Sequence, residues 1–232
     1  MACAAGGLVA VAGVGWSWAQ TASQPVDAAQ IANTGLVNQG TPACASCHGY
    51  RGEGISVQNG PRLAGLNADY IERQLDAFKH GRRASVVMVW VARTLTAEER
   101  TALADYYAKL PPVAEGVAPE RGLVADGRRL ADEGDWPHKI PPCASCHGAD
   151  GLGVNALTPP LAGQRADYLE RQLIDFQQKA RRDDPLGLMR AISGRLSSRE
   201  IRAAAAYYAT LPARPAAAAV SPAHGPSSGA HP

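Results

Sequence analysis

Apolar residues recur along this chain at helical spacing, and they do so twice. Tyr70, Ile71, Leu75 and Phe78 fall on one face of a helix predicted over residues 68–79, and Tyr168, Leu169, Leu173 and Phe176 repeat that stripe in the second half. Later in each half a capping box opens another helix. Thr96 pairs with Glu99 and Ser197 with Glu200, so that each hydroxyl and carboxylate satisfies amide donors left open by the first turn. Pro111 and Pro212 stop these helices. Shorter helical stretches are expected over 27–38 and 121–132, and Gly-rich, turn-prone loops over 49–60 and 148–158. Almost nothing alternates with the period of a strand, so the pattern predicts an all-α protein.

The two halves agree at the level of individual residues. "PRLAGLNADYIERQLDAF" (61–78) matches "PPLAGQRADYLERQLIDF" (159–176), and "LTAEERTALADYYAKLP" (95–111) matches "LSSREIRAAAAYYATLP" (196–212). The second copy gains three residues, in the loop 177–187. One domain is written twice, with expected bounds of 25–112 and 121–212 and a Pro-containing linker at 113–120. The Ala-, Pro- and Ser-rich stretch 213–232 has the composition of a disordered tail. The first nineteen residues carry no charged side chain and end in small residues at Ser17 and Ala19, as an export signal does. A retained membrane anchor is the alternative, although the run is short for a spanning helix.

Composition narrows the chemistry. Aromatic residues make up 6% of the 232, so each half has little bulk for a core and invites an inserted group. Lys and Arg total 23 against 21 Asp and Glu, and this near balance excludes the basic surplus on which nucleic-acid binding depends.

Cys3 lies in the leader, and the other four cysteines sit in the repeated strings "ACASCHG" and "PCASCHG", as Cys44, Cys47, Cys143 and Cys146. A disulfide within each CxxC is one reading, but no thioredoxin-like strand precedes either pair. Zinc is a second, but adjacent Cys and His are poorly placed to share one ion. The third is covalent haem. Two thiols add to the porphyrin vinyl groups, and the next residue's imidazole, His48 or His147, takes the iron's proximal position. The adjacency that spoils a zinc site suits this reading, and its repetition in matching contexts makes it the preferred one. Beyond the leader there are two methionines, Met88 and Met189, at a shared position of the two copies. That placement favours axial ligation over core packing, giving two closed irons.

With CASCHG, PxLAG, DYxxRQL, a late Met and a YY helix in the same order in both halves, the chain resembles the cytochrome c4 family of dihaem class I cytochromes c. The resemblance covers nearly all of 28–211. It implies two tandem class I cytochrome c-like domains about a pseudo-twofold relation and two covalently bound haem c groups. It also implies a Pro carbonyl accepting the proximal histidine's other ring proton. Pro61 and Pro160, each 13 residues after its histidine, are the expected acceptors. As a function it implies a periplasmic electron carrier between a membrane quinol-oxidising complex and a terminal oxidase, with peripheral membrane association if the leader is retained. Two readings of other kinds stand beside it. One is a haem enzyme of dihaem peroxidase or thiosulfate-oxidising type, which requires an open iron and becomes relevant if Met88, in the unusually apolar "SVVMVWVA", does not ligate. The other is an electron-accepting subunit fixed to a larger dehydrogenase. "GRR" (81–83) and "ARR" (180–182) recur just before the methionines, as partners for haem propionates or as solvated charge.

Overall fold

A computed structural model describes residues 25–113 and 120–215 of the chain. The expected leader, nearly all of the linker and most of the tail lie outside these residues. The first half holds α1 (Ala28–Thr34), α2 (Ala45–His48), α3 (Ala68–Lys79), α4 (Val86–Thr94) and α5 (Ala97–Lys109). The second repeats the order with α6 (Arg121–Glu133), α7 (Ala144–His147), α8 (Ala166–Gln177), α9 (Leu188–Ser193) and α10 (Ser198–Thr210). Among the described residues there are only isolated bridges and no strand.

The helix boundaries follow local chemistry. Asn67 caps α3 by accepting from the Tyr70 amide at 2.9 Å, and both capping boxes form at the starts of α5 and α10. The helix expected over 27–38 is shorter than its pattern suggests. Gly35 ends α1 with φ 73°, because the chain doubles back so tightly that a Cβ there would sit 2.2 Å from the Thr41 carbonyl oxygen. A separate 3-10 turn follows at Val37–Gln39.

In the first half, α1 and α3 pack on α5. Ile31 and Ala32 share one buried cluster with Tyr70, Ile71, Leu75, Leu103, Ala104 and Tyr107. In the second half, Leu130 and Ala131 of α6 meet α10, whose Ala203, Ala204, Ala205 and Ala206 are all buried. That crossing is close: a Cβ on Gly127 would lie 2.0 Å from the Ala203 carbonyl oxygen. The expected stripe on α3 is wholly buried, whereas on α8 Leu169 and Phe176 are buried and Tyr168 and Leu173 half-buried.

Two features lie beyond the sequence pattern. The apolar run around Met88 is a helix, α4, with Val91 and Ala92 inside and Val86, Val87 and Trp90 exposed. The arginine pairs are split. Arg82 and Arg182 are exposed, while Arg83 and Arg181 are buried between the two domains. The contact there is reciprocal. The Ala84 amide donates to the Ala180 carbonyl at 2.9 Å, and the Arg182 amide to the Arg82 carbonyl at 2.7 Å. Arg83 donates to Tyr168 Oη at 2.6 Å and Arg181 to Tyr70 Oη at 3.3 Å. Such paired exchange is what a pseudo-twofold axis produces.

Candidate functional sites

Each CxxCH string forms a single helical turn, α2 or α7, entered from a cysteine in αR conformation and left through a glycine with positive φ, Gly49 at 81° and Gly148 at 83°. Residues at i, i+3 and i+4 of one turn share a face. Cys44, Cys47 and His48 therefore stand together, as do Cys143, Cys146 and His147. The His48 and His147 amides close the turns on the Cys44 and Cys143 carbonyls at 2.9 Å each. No disulfide joins these four cysteines. Burial raises the Cys44 thiol pKa and pushes that of Cys143 up to about 11, a mark of the apolar surroundings of these two sulfurs.

Both histidines are buried, at 8% exposure each. His48 Nδ1 lies 3.0 Å from the Pro61 carbonyl oxygen, and His147 Nδ1 lies 2.9 Å from that of Pro159. A carbonyl can only accept, so Nδ1 carries the proton in both rings and the Nε2 lone pair is left for a metal. Burial, opposed by the carbonyl bond, brings both rings below the ordinary imidazole pKa and keeps them neutral.

Pro159, not Pro160, is therefore the acceptor in the second half. The loop between histidine and proline is one residue shorter there, 12 positions against 13, so counting along the chain lands one residue too far. The signal was present in the repeat itself, where Pro159 aligns with Pro61. The loops are held to the following PxLAG strings in the same way in both halves. The Gly54 amide donates to the His48 carbonyl and Leu63 and Ala64 donate to Gly52, with Gly153, Leu161 and Ala162 repeating the set on His147 and Gly151.

The residues present fit a covalently attached haem. Beside a neutral imidazole and two thiols on one face, corresponding positions of the two halves carry large apolar side chains exposed to solvent. Val37 matches Trp136 and Val87 matches Leu188, and Val57 and Leu157 project from the two loops after the motifs. Apolar surface repeated in this way calls for a cover, and a flat porphyrin provides one. Met88 is the third residue of α4, with its amide bonded to Ser85 Oγ at 3.2 Å and its side chain packed on the first core cluster. Met189 is the second residue of α9. Both are half-buried.

The family model described as cytochrome c oxidase, cbb3-type, subunit III matches twice, over residues 30–106 and 139–207. The thiosulfate dehydrogenase electron acceptor of Stutzerimonas stutzeri is 39% identical over 190 residues, covering 82% of this chain and 88% of that one. Cytochrome c4 of Thiocapsa roseopersicina is 40% identical over 166 residues, covering 71% and 84%. Among solved structures, a thiosulfate dehydrogenase from Marichromatium purpuratum superposes with a TM-score of 0.76 at 41% identity. The match covers 80% of this chain but 40% of that one. Reduced cytochrome c4 from Pseudomonas stutzeri superposes at 0.68 with 30% identity, covering 76% and 97%.

Proposed function

Because this chain belongs to the cytochrome c4-like family of dihaem class I cytochromes, and so transfers electrons with two covalently attached haem c groups, we propose that it is the exported acceptor for a thiosulfate-oxidising enzyme. It does not itself oxidise the substrate, and it passes electrons on to a membrane terminal oxidase. The observation that carries this reading is the likeness, over most of the chain, to proteins named as thiosulfate dehydrogenase electron acceptors, together with the thiosulfate dehydrogenase structure that contains a part of the same fold. It favours a dehydrogenase over a quinol-oxidising complex as the electron source.

In this reading Cys44 and Cys47, and Cys143 and Cys146, hold the two haems through sulfur. His48 and His147 would each supply one ligand to an iron, and Met88 and Met189 the other. Each bound haem supplies a one-electron ferrous–ferric couple that works without ligand exchange. The Pro61 and Pro159 carbonyls fix the ring tautomer and plane, and the buried, neutral imidazoles stay available as ligands at all but acidic pH. The methionine sulfur is a soft, neutral donor that favours the reduced state. Two such domains accept two electrons per chain.

Mixing the oxidised holoprotein with thiosulfate and a thiosulfate dehydrogenase is expected to reduce both haems, whereas thiosulfate alone leaves them oxidised. Reduction by thiosulfate alone, or faster reduction by a quinol-oxidising complex, overturns the reading. Met88→Ala and Met189→Ala are each expected to turn one haem high-spin, to open it to carbon monoxide and to remove half of the weak Met-to-iron band at the red end of the ferric spectrum. If Met88→Ala changes none of these, Met88 does not bind the first iron: a low-spin first haem then has another ligand, and only a first haem already high-spin and open to carbon monoxide in the wild type gives the enzyme reading precedence.

A further inference from the structure

Near the haem motifs, one fully buried contact between the two halves has no counterpart across the pseudo-twofold axis. Arg62, next to the Pro61 whose carbonyl holds His48, is 0% exposed. Its guanidinium lies among carbonyl oxygens: Nη1 donates to Ala64 of its own domain, Nε to Gly163 at 3.2 Å and Nη2 to Ala162 at 2.9 Å in the other. The side-chain amide of Gln164 then grips the Arg62 backbone on both sides. The Arg62 amide donates to Gln164 Oε1 at 2.9 Å, and Gln164 Nε2 donates to the Arg62 carbonyl at 3.0 Å. The second domain thus holds the peptide unit that begins at the Pro61 carbonyl.

The mirrored contact does not form. Pro160 occupies the position of Arg62, with no N–H and no side-chain donor, and Leu66 occupies that of Gln164, with no polar side-chain atom. A fully buried guanidinium with no carboxylate is costly unless every donor is engaged. The fork on three carbonyls, together with the two-point grip, therefore makes a rigid junction. We propose that Arg62 and Gln164 form a one-way latch, through which docking of the second domain sets the hydrogen bond from His48 to Pro61 while His147 is set by its own domain alone. Arg62 and Gln164 are positioning residues for the first haem. A well-placed carbonyl acceptor makes the imidazole a stronger donor, which favours ferric iron and lowers the potential. The latch thus tunes one of two otherwise similar haems, and it does so only when the domains are docked.

This inference rests on the reading of His48 as proximal ligand, and the experiment separates the two. Gln164→Leu removes the grip without changing charge. In the holoprotein it is expected to raise the reduction potential of the first haem and to shift the His48 ring-proton resonances, leaving the second haem's potential and the His147 resonances as in the wild type. Arg62→Lys, which keeps the buried charge but loses the fork, is expected to give the same one-sided change, and it decides the matter if Gln164→Leu does not assemble. Equal shifts at both haems, a shift at the second only, or none at all overturn the latch. Wild-type protein with no histidine ring signals at the first haem instead overturns the ligand assignment itself.

Discussion

Beside Arg62, two more guanidinium groups lie buried between the domains, and they are compensated differently. Arg181 Nε donates to Asp183 Oδ1 at 2.8 Å with both side chains 7% exposed, and the guanidinium stacks 4.5 Å above the Phe176 ring. No carboxylate bonds directly to Arg83, although the charge of Asp183 reaches it. Arg83 donates to Gln74, Tyr168 and Gln172 and stacks 4.6 Å above Phe78. Asp183 is one of the residues by which the second copy exceeds the first. Asp183→Ala leaves Arg181 buried beside neutral acceptors, and it is expected to cost about 3 kcal/mol in a urea titration of the holoprotein, the lower end of what breaking a buried pair costs. Burial raises the Asp183 carboxyl, but the charge and hydrogen bond of Arg181 outweigh it and hold the pKa below the ordinary carboxylate value. A depressed carboxylate contributes stability above its unfolded pKa of about 4 and loses it as pH falls further, through the folded value. The urea midpoint should therefore drop on acidification below about pH 4, with a smaller drop in Asp183→Asn. An equal drop in both proteins would assign the acid sensitivity to other groups.

Among the helices, the crossing of α6 and α10 depends on the absence of a side chain. Gly127→Ala improves intrinsic helix propensity by about 1 kcal/mol. Its new methyl would however meet backbone rather than a movable side chain, 2.0 Å from the Ala203 oxygen. The crossing must open, at roughly 1–3 kcal/mol for overpacking, so the net expectation is a lower thermal midpoint. An unchanged or raised midpoint would mean that α6 shifts freely over α10. Thr96→Ala and Ser197→Ala each break a capping box and are expected to cost about 1 kcal/mol. These caps and the stripes of α3 and α8 were legible because they depend on residues three or four apart. The helix α4 was not. "VVMVWV" is apolar at every position, so no periodicity marks its buried face, and only the neighbours of Val91 and Ala92 select one.

For the whole molecule, the buried arginines imply that the domains unfold together. Arg62, Arg83 and Arg181 each donate to groups of the opposite domain, so separating the halves would strand several buried donors and acceptors at once. Calorimetry of the holoprotein is expected to show one transition and Arg62→Ala two; two transitions in the wild type would mean that the interface contributes little coupling. The chain alone determined the all-α class, the duplication, both CxxCH motifs and the residue types proposed as iron ligands, because these arise from short-range spacing and from chemistry that repeats. The structure settled Pro159 over Pro160 as the partner of His147, for which the repeat already held the signal; it alone decided that Arg83 and Arg181 face the other domain and that Arg62 and Gln164 meet. Those outcomes depend on how loops of unequal length close and on which surfaces of two nearly identical domains come together. Partners about a hundred residues apart leave no local periodicity, only the small departures from the repeat, Arg62 against Pro160 and Leu66 against Gln164, that acquire meaning once the halves are docked.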